Sequence, residues 1–141
     1  MHVNPYLNFA GNAEEAFEHY RSVFGGELSS VVRFGDFPTE GATVPADEAG
    51  KMMHIALPIG GGNVLMASDV LASHGQNLSR GNNVYVSVHA DSRDDAARIF
   101  EGLADGGEVE MPIADQPWGD YWGSLEDRFG VMWMVSHTPP S

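Results

Sequence analysis

Cysteine is absent from the 141-residue chain. Disulfides and cysteine nucleophiles are therefore excluded, and the absence fits a reducing compartment. Basic residues are scarce, with 7 Lys and Arg against 20 Asp and Glu, for a formal net charge of −13. A surface that negative repels phosphate backbones and anionic lipid, so neither nucleic acid nor a membrane is expected as a partner. The same field favours cationic ligands, and it also keeps a protein soluble. No run approaches the roughly 18 apolar residues that a membrane-crossing helix needs. The first nine residues carry neither a basic segment nor an apolar stretch, so no signal peptide is expected and the localisation reading is cytoplasmic.

Several catalytic signatures are missing too. There is no Gly-x-Ser-x-Gly elbow for a serine hydrolase. Gly60-Gly61-Gly62 lacks the Lys and Ser/Thr of a phosphate loop. No glycine-rich fingerprint follows the first strand, so a nucleotide-binding methyltransferase has no support. None of the six histidines (His2, His19, His54, His74, His89, His137) pairs with another at the i, i+4 spacing of a helical zinc site.

What is present is enough apolar material for a core: 43% hydrophobic and 19% charged residues, in a length that suits one domain. The sequence also repeats itself. Tyr6-Leu7-Asn8-Phe9 falls on Val86-Ser87-Val88-His89 at an offset of 80, Glu14-Glu15-Ala16 on Asp94-Asp95-Ala96, and Tyr20 on Phe100. One residue of slippage later, Gly25-Gly26-Glu27 meets Gly106-Gly107-Glu108.

Each copy reads as strand, helix, glycine stop and further strands. Val84, Val86 and Val88 alternate with polar neighbours at the period of a half-buried strand. Ala16, Phe17, Tyr20, Val23 and Phe24 make one apolar helix face, as do Ala96, Ala97, Ile99, Phe100 and Leu103 in a helix over about 93–104. Asn12 with Glu15 three residues on predicts a capping box for the first helix. Further strands are predicted at 28–34, 53–59 and 64–68, then at 109–113, 121–125 and 131–135. Hairpin turns fall at Gly60-Gly61-Gly62-Asn63 and Phe129-Gly130.

Two segments lack periodicity. Residues 35–51 are long enough for a flap, and residues 69–82 read as the linker between copies. The boundaries are thus a first module at about 1–69, a linker at about 70–82 and a second module at about 83–137, within one domain over 1–141. Two tandem βαβββ modules imply an α+β fold in which each sheet curves around a central cavity and carries its helix outside.

Three ordered motifs resemble a known family. They are Pro5-Tyr6-Leu7-Asn8-Phe9 through Glu15-Ala16-Phe17, with Tyr20 and Phe24-Gly25-Gly26-Glu27; then Lys51-Met52-Met53-His54-Ile55-Ala56-Leu57; and finally Trp118-Gly119-Asp120-Tyr121-Trp122-Gly123 with Asp127-Arg128-Phe129-Gly130-Val131-Met132-Trp133. Together they resemble the PhnB-like branch of the glyoxalase/bleomycin-resistance/dioxygenase (vicinal oxygen chelate) superfamily.

The resemblance implies a homodimer and, in metal-dependent members, four His, Gln or Glu ligands facing the cavity. Carried across, those positions fall on Pro5, Met66, Tyr85 (or Asn83) and Met134, none of them a donor suited to a hard divalent ion. No cofactor is therefore expected, and a divalent metal is disfavoured. A rearranged site from His54, His89 and Asp69 is the residual metal option, against which hydrogen-bonded or exposed histidines are the commoner outcome.

Cavity-lining candidates are His54, Met66, Ser68, Tyr85, His89, Trp118, Tyr121 and Met134. The aromatic stretch Trp118, Tyr121, Trp122 and Trp133 stacks planar or cationic ligands on one reading and fills the core on the other; Trp133 is assigned to the core. The methionines line an adaptable apolar pocket or plug the sheet. The expected function is metal-independent binding of a small molecule, with sequestration of the bleomycin-resistance kind as its mode. The rival is a metal-dependent lyase or dioxygenase of the glyoxalase type.

Overall fold

A computed structural model describes residues 1–36 and 44–140. Part of the predicted flap, residues 37–43, lies outside them. The elements follow in the order β1 (Tyr6–Phe9), α1 (Ala13–Phe24), β2 (Ser30–Arg33), β3 (Met52–Gly60), β4 (Asn63–Asp69), β5 (Val86–His89), α2 (Arg93–Ala104), β6 (Glu108–Asp115), β7 (Tyr121–Glu126) and β8 (Met132–His137). They form two sheets of four strands, ordered β1-β4-β3-β2 and β5-β8-β7-β6, each with one parallel pair and two antiparallel pairs. The α+β reading with two βαβββ modules holds. The chain divides into two compact units, Met1–Ser79 and Arg80–Ser141.

In the first unit α1 lies on one face of its sheet. Ala16, Phe17, Tyr20 and Val23 pack there with Phe9, Ile55, Leu57, Leu65 and Ala67, all buried. Phe17 meets Phe9 edge-on, with ring centroids 6.4 Å apart, and meets Tyr20 at 5.6 Å. Each such side chain contributes about 1.5–3 kcal/mol by leaving water. The β3–β4 hairpin closes through Gly61 and Gly62 at φ 62° and 80°. Two consecutive positive φ values suit glycine and match the strand twist.

The predicted capping box does not form. Asn12 occupies the N-cap position but its side chain caps nothing. Asp69, 57 residues after it in sequence at the end of β4, caps the helix instead: one carboxylate oxygen accepts the N–H groups of Gly11 (3.1 Å) and Ala13 (3.0 Å), the other that of Met52 (2.8 Å). A carboxylate there also faces the positive end of the helix dipole.

In the second unit Ser92 caps α2 through the N–H of Asp95, at 3.0 Å. Ala96, Ile99, Phe100 and Leu103 pack over Leu125, Trp133 and Val135. Gly123 lets helix and sheet approach closely: a Cβ there would lie 2.7 Å from the Ile113 Cα and 2.8 Å from the Phe100 ring. Gly123→Ala is expected to lower stability by about 1–3 kcal/mol, the usual cost of overpacking. Chemical denaturation should read the loss as a shifted midpoint with an unchanged slope.

Three carboxylates are held below their usual range by the groups they accept from. The Arg33 guanidinium does this for Glu14, the Ser73 hydroxyl for buried Glu48, and the Arg93 guanidinium for Asp115. The stability they add is present above the unfolded carboxylate pKa and is lost as pH falls through the lowered folded values. The urea midpoint should therefore hold through neutral pH and fall once pH drops below about 4.

Candidate functional site

Each sheet keeps one face free of its helix. Residues directly opposite across paired strands share a face, which fixes the membership of that open face. In the first unit it carries Tyr6 and Asn8 from β1, His54 and Ala56 from β3, and Met66 and Ser68 from β4. Tyr6 reaches over β4 to stack on His54, with centroids 5.7 Å apart and planes 29° apart, and its hydroxyl lies 3.2 Å from His54 Nδ1. Ser68 donates to Asn8 Oδ1 at 3.5 Å.

In the second unit the open face carries Tyr85, Ser87 and His89 leading into and along β5. It also carries Met132, Met134 and Ser136 from β8, and Trp122, Ser124 and Glu126 from β7. His89 Nδ1 lies 3.1 Å from the Ser136 hydroxyl. The two faces repeat one plan. Met66-Ala67-Ser68 and Met134-Val135-Ser136 occupy equivalent places, and each serine meets a polar side chain of the parallel neighbour strand, Asn8 or His89.

That equivalence sets Tyr6 against Ser87 and Asn8 against His89. The first strands therefore match at an offset of 81, and 80 holds for the helices. Since a slip of one residue turns every side chain to the other face, the offset of 80 alone would put His89 with helix-facing Phe9.

His54, Met66 and Ser68 thus share one open face, and Tyr85, His89 and Met134 share the other. Trp118 stands in the turn before β7 at 62% exposure and meets Trp122 edge-on at 5.8 Å. Gln116 fixes that turn by donating from its side chain to the carbonyls of Ala114 and Trp122. Tyr121 departs from the cavity-facing expectation. It pairs with His137 and lies on the helix side, where the Arg93 guanidinium sits 3.9 Å over its ring. Trp122 takes the open-face place instead, and the glycine next to it carried that signal, because an interior strand glycine marks a close backbone approach on its own face.

The metal positions carried over from the family do not fit a hard divalent ion. Met66 and Met134 do lie on the open faces, but the β1 residue opposite Met66 is Tyr6; Pro5 contributes only its carbonyl, to the Met66 N–H. Thioethers and neutral phenols are poor partners for such an ion. The rearranged option loses Asp69, whose two oxygens are engaged by backbone N–H groups on the helix side. Among the described residues no three His, Asp or Glu side chains are grouped to hold a metal ion.

The open face of the second sheet also holds residues that sequence pattern did not single out. β6 pairs with β7 through two irregularities, the first between Val109 and Met111. The extra residue there, Glu110, reaches the open face and accepts from the Tyr85 hydroxyl at 2.8 Å. Tyr85 and Glu110 belong to opposite edges of the sheet, so their hydrogen bond bridges β8 and β7. Accepting that proton, Glu110 raises the Tyr85 pKa; desolvation and the charge of Glu126 add to the shift.

Comparison with known proteins gives concordant likenesses. Residues 2–135 match the pattern of the Glyoxalase/Bleomycin resistance protein/Dioxygenase superfamily. The chain is 30% identical to protein YjdN of Escherichia coli K12 over 139 residues, covering 96% of this chain and 95% of that one. It is 38% identical to the crystal structure of PA1353 from Pseudomonas aeruginosa, with a TM-score of 0.85 and 98% of each chain covered. The PhnB protein from Bacillus cereus is 26% identical, with a TM-score of 0.75, over 98% of this chain and all of that one.

Proposed function

Since this chain belongs to the Glyoxalase/Bleomycin resistance protein/Dioxygenase superfamily, we propose that it binds a small organic molecule on the open face of its second sheet, without a bound metal. The observation that carries this reading is the Trp118–Trp122 pair beside His89 and Ser136. Trp118, 62% exposed and set edge-on to Trp122, offers a planar ligand a ring surface on which to stack. The face offers a planar ligand an aromatic wall, a methionine floor that adapts its shape, and a few hydrogen-bonding groups. A net charge of −13 favours a cationic ligand. The mode is sequestration in a homodimer, as in bleomycin resistance, in the cytoplasm. No helix among the described residues is long and apolar enough to cross a membrane.

The rival is a glyoxalase-type lyase or dioxygenase with a rearranged metal site. Elemental analysis of purified protein separates the two: stoichiometric Ni, Zn, Mn or Fe would put the enzyme reading ahead. A panel of planar cations followed by tryptophan fluorescence tests binding itself. Trp122→Ala is expected to weaken any hit by about tenfold or more, the usual worth of a well-packed aromatic contact. Unchanged affinity in that variant would remove the second sheet from the site.

A further inference from the structure

The open face of the second sheet is exposed along β5 and covered at one inner corner. Ser87 and His89 on β5 are exposed, whereas Met132 on β8 is 7% exposed and Ser124 on β7 is 4%. Helix α2 lies on the other face of this sheet, so something else covers that corner.

The register shows what crosses it. Val86 pairs with Trp133, which sets Tyr85 opposite Met132, and Met132 pairs with Glu126 on β7. From the start of β5 Tyr85 donates to Glu110 on β6, at 2.8 Å, and these are the two outer strands. Three strand spacings of about 4.8 Å separate those edges, so both side chains lie across the sheet rather than stand off it. The phenol thus passes over Met132.

The first unit supplies an internal comparison. Its equivalents of Tyr85 and Met132 are Asn4 and Val64. Asn4 is too short to cross. It accepts the N–H of its neighbour Val64 at 3.1 Å, and Val64 is left half-buried.

We propose that the Tyr85–Glu110 pair is a strap that closes the Met132 corner and swings aside to lengthen the binding surface. The strap itself stands on this geometry; its purpose rests on the binding function proposed above. One hydrogen bond holds it shut, between a side chain at one edge and another at a strand irregularity, a common device for re-aiming a residue. Closure draws Glu110 toward Glu126, whose like charge opposes it. Exposed side chains change rotamer quickly, so the strap opens without any change in the backbone.

Selection by length follows. Trp122 and Glu126 stand four residues apart on β7, about 13 Å along the strand. A one-ring cation stacked on Trp122 stops short of the strap. A three-ring cation laid along β7 displaces it and rests on Met134 and Met132.

The test uses the full chain with its methionine methyl groups labelled and a soluble nitroxide in the solvent. Met52, fully buried, and Met53, at 40% exposure, are the internal standards for nitroxide broadening. In the parent, the Met132 methyl should broaden nearly as slowly as that of Met52. Tyr85→Phe, which keeps the ring, and Glu110→Ala should each raise Met132 broadening by about twofold or more, as the open population grows. The double variant should match the singles, because all three lack the same bond. Ser87→Ala, exposed on the same face, should change nothing. Amide spectra confirm that each variant folds.

Unchanged Met132 broadening in both single variants overturns the strap, and so do effects that simply add in the double variant. Proflavine and 1-methylpyridinium, followed by tryptophan fluorescence, read its purpose. Tyr85→Phe should tighten proflavine by about threefold, the worth of a hydrogen bond no longer broken, and leave 1-methylpyridinium unchanged. If Met132 responds and neither cation binds, the binding function falls and the strap stands. If both bind and Met132 does not respond, the strap falls alone.

Discussion

Asp127→Ala is expected to destabilise the protein by about 3–5 kcal/mol, the range for removing a buried charged acceptor from several donors at once. Asp127 is 3% exposed and closes the β7–β8 hairpin. One of its oxygens accepts the N–H groups of Phe129 and Val131, each at 2.9 Å, and the other accepts the indole N–H of buried Trp133 at 2.8 Å. Its backbone continues the turn, with its N–H bonded to the Val131 carbonyl and its carbonyl accepting from Gly130. Deleting the carboxylate removes a desolvated acceptor from three donors. For a chain of this length the thermal midpoint should fall by roughly 10 °C or more. Asp127→Asn separates charge from shape: an amide oxygen still serves two donors, but its NH2 then confronts the indole N–H. That variant should lose about half as much, read by thermal unfolding and by the near-ultraviolet signal of Trp133. A loss under 1 kcal/mol in Asp127→Ala would mean that water replaces the carboxylate.

Asp69→Ala should be comparably damaging, at about 3–5 kcal/mol by the same reasoning, through a different geometry. Asp69 is also 3% exposed, but it ties together three segments distant in sequence: Gly11 and Ala13 at the start of α1, Met52 at the start of β3, and the end of β4. Amide hydrogen exchange offers a local check. The N–H groups of Ala13 and Met52 should exchange far faster in Asp69→Ala, and those of the α1 middle turns less so. Asn12→Ala is the control. An N-cap asparagine ordinarily adds about 1 kcal/mol, yet here its side chain caps nothing, so its loss should be near zero. A large loss in Asn12→Ala with a small one in Asp69→Ala would reverse the assignment.

The contrast between Asn12 and Asp69 marks what the sequence makes legible. The helices, the glycine turns and the repeat are local patterns, and helix α2 begins and ends where its apolar spacing predicts. A capping carboxylate 57 residues away leaves no local trace. The same holds for Glu110. Period-2 alternation assigns faces along a regular strand, and a bulge breaks the count without any change in composition. Tyr121 and Trp122 differ by one position, so the aromatic stretch marks the segment but not which of its rings faces away from the helix. The faces taken by Met66, Ser68, His89 and Met134 are legible because these residues lie on regular strands. Ser124 is not: only the cross-strand register sets this buried serine between Met111 and Met134.

The irregularities of β6 reach further than Glu110. β6 is an outer strand of its sheet, eight residues long, with Val109 and Met111 exposed. A straight apolar strand in that place would template the addition of a strand from another molecule, the opening step of aggregation. Two breaks in register and Pro112, which lacks an N–H to offer, spoil the ladder along its free side. Straightening β6 by deleting Glu110 would accordingly be felt first in solubility, as concentration-dependent turbidity on warming.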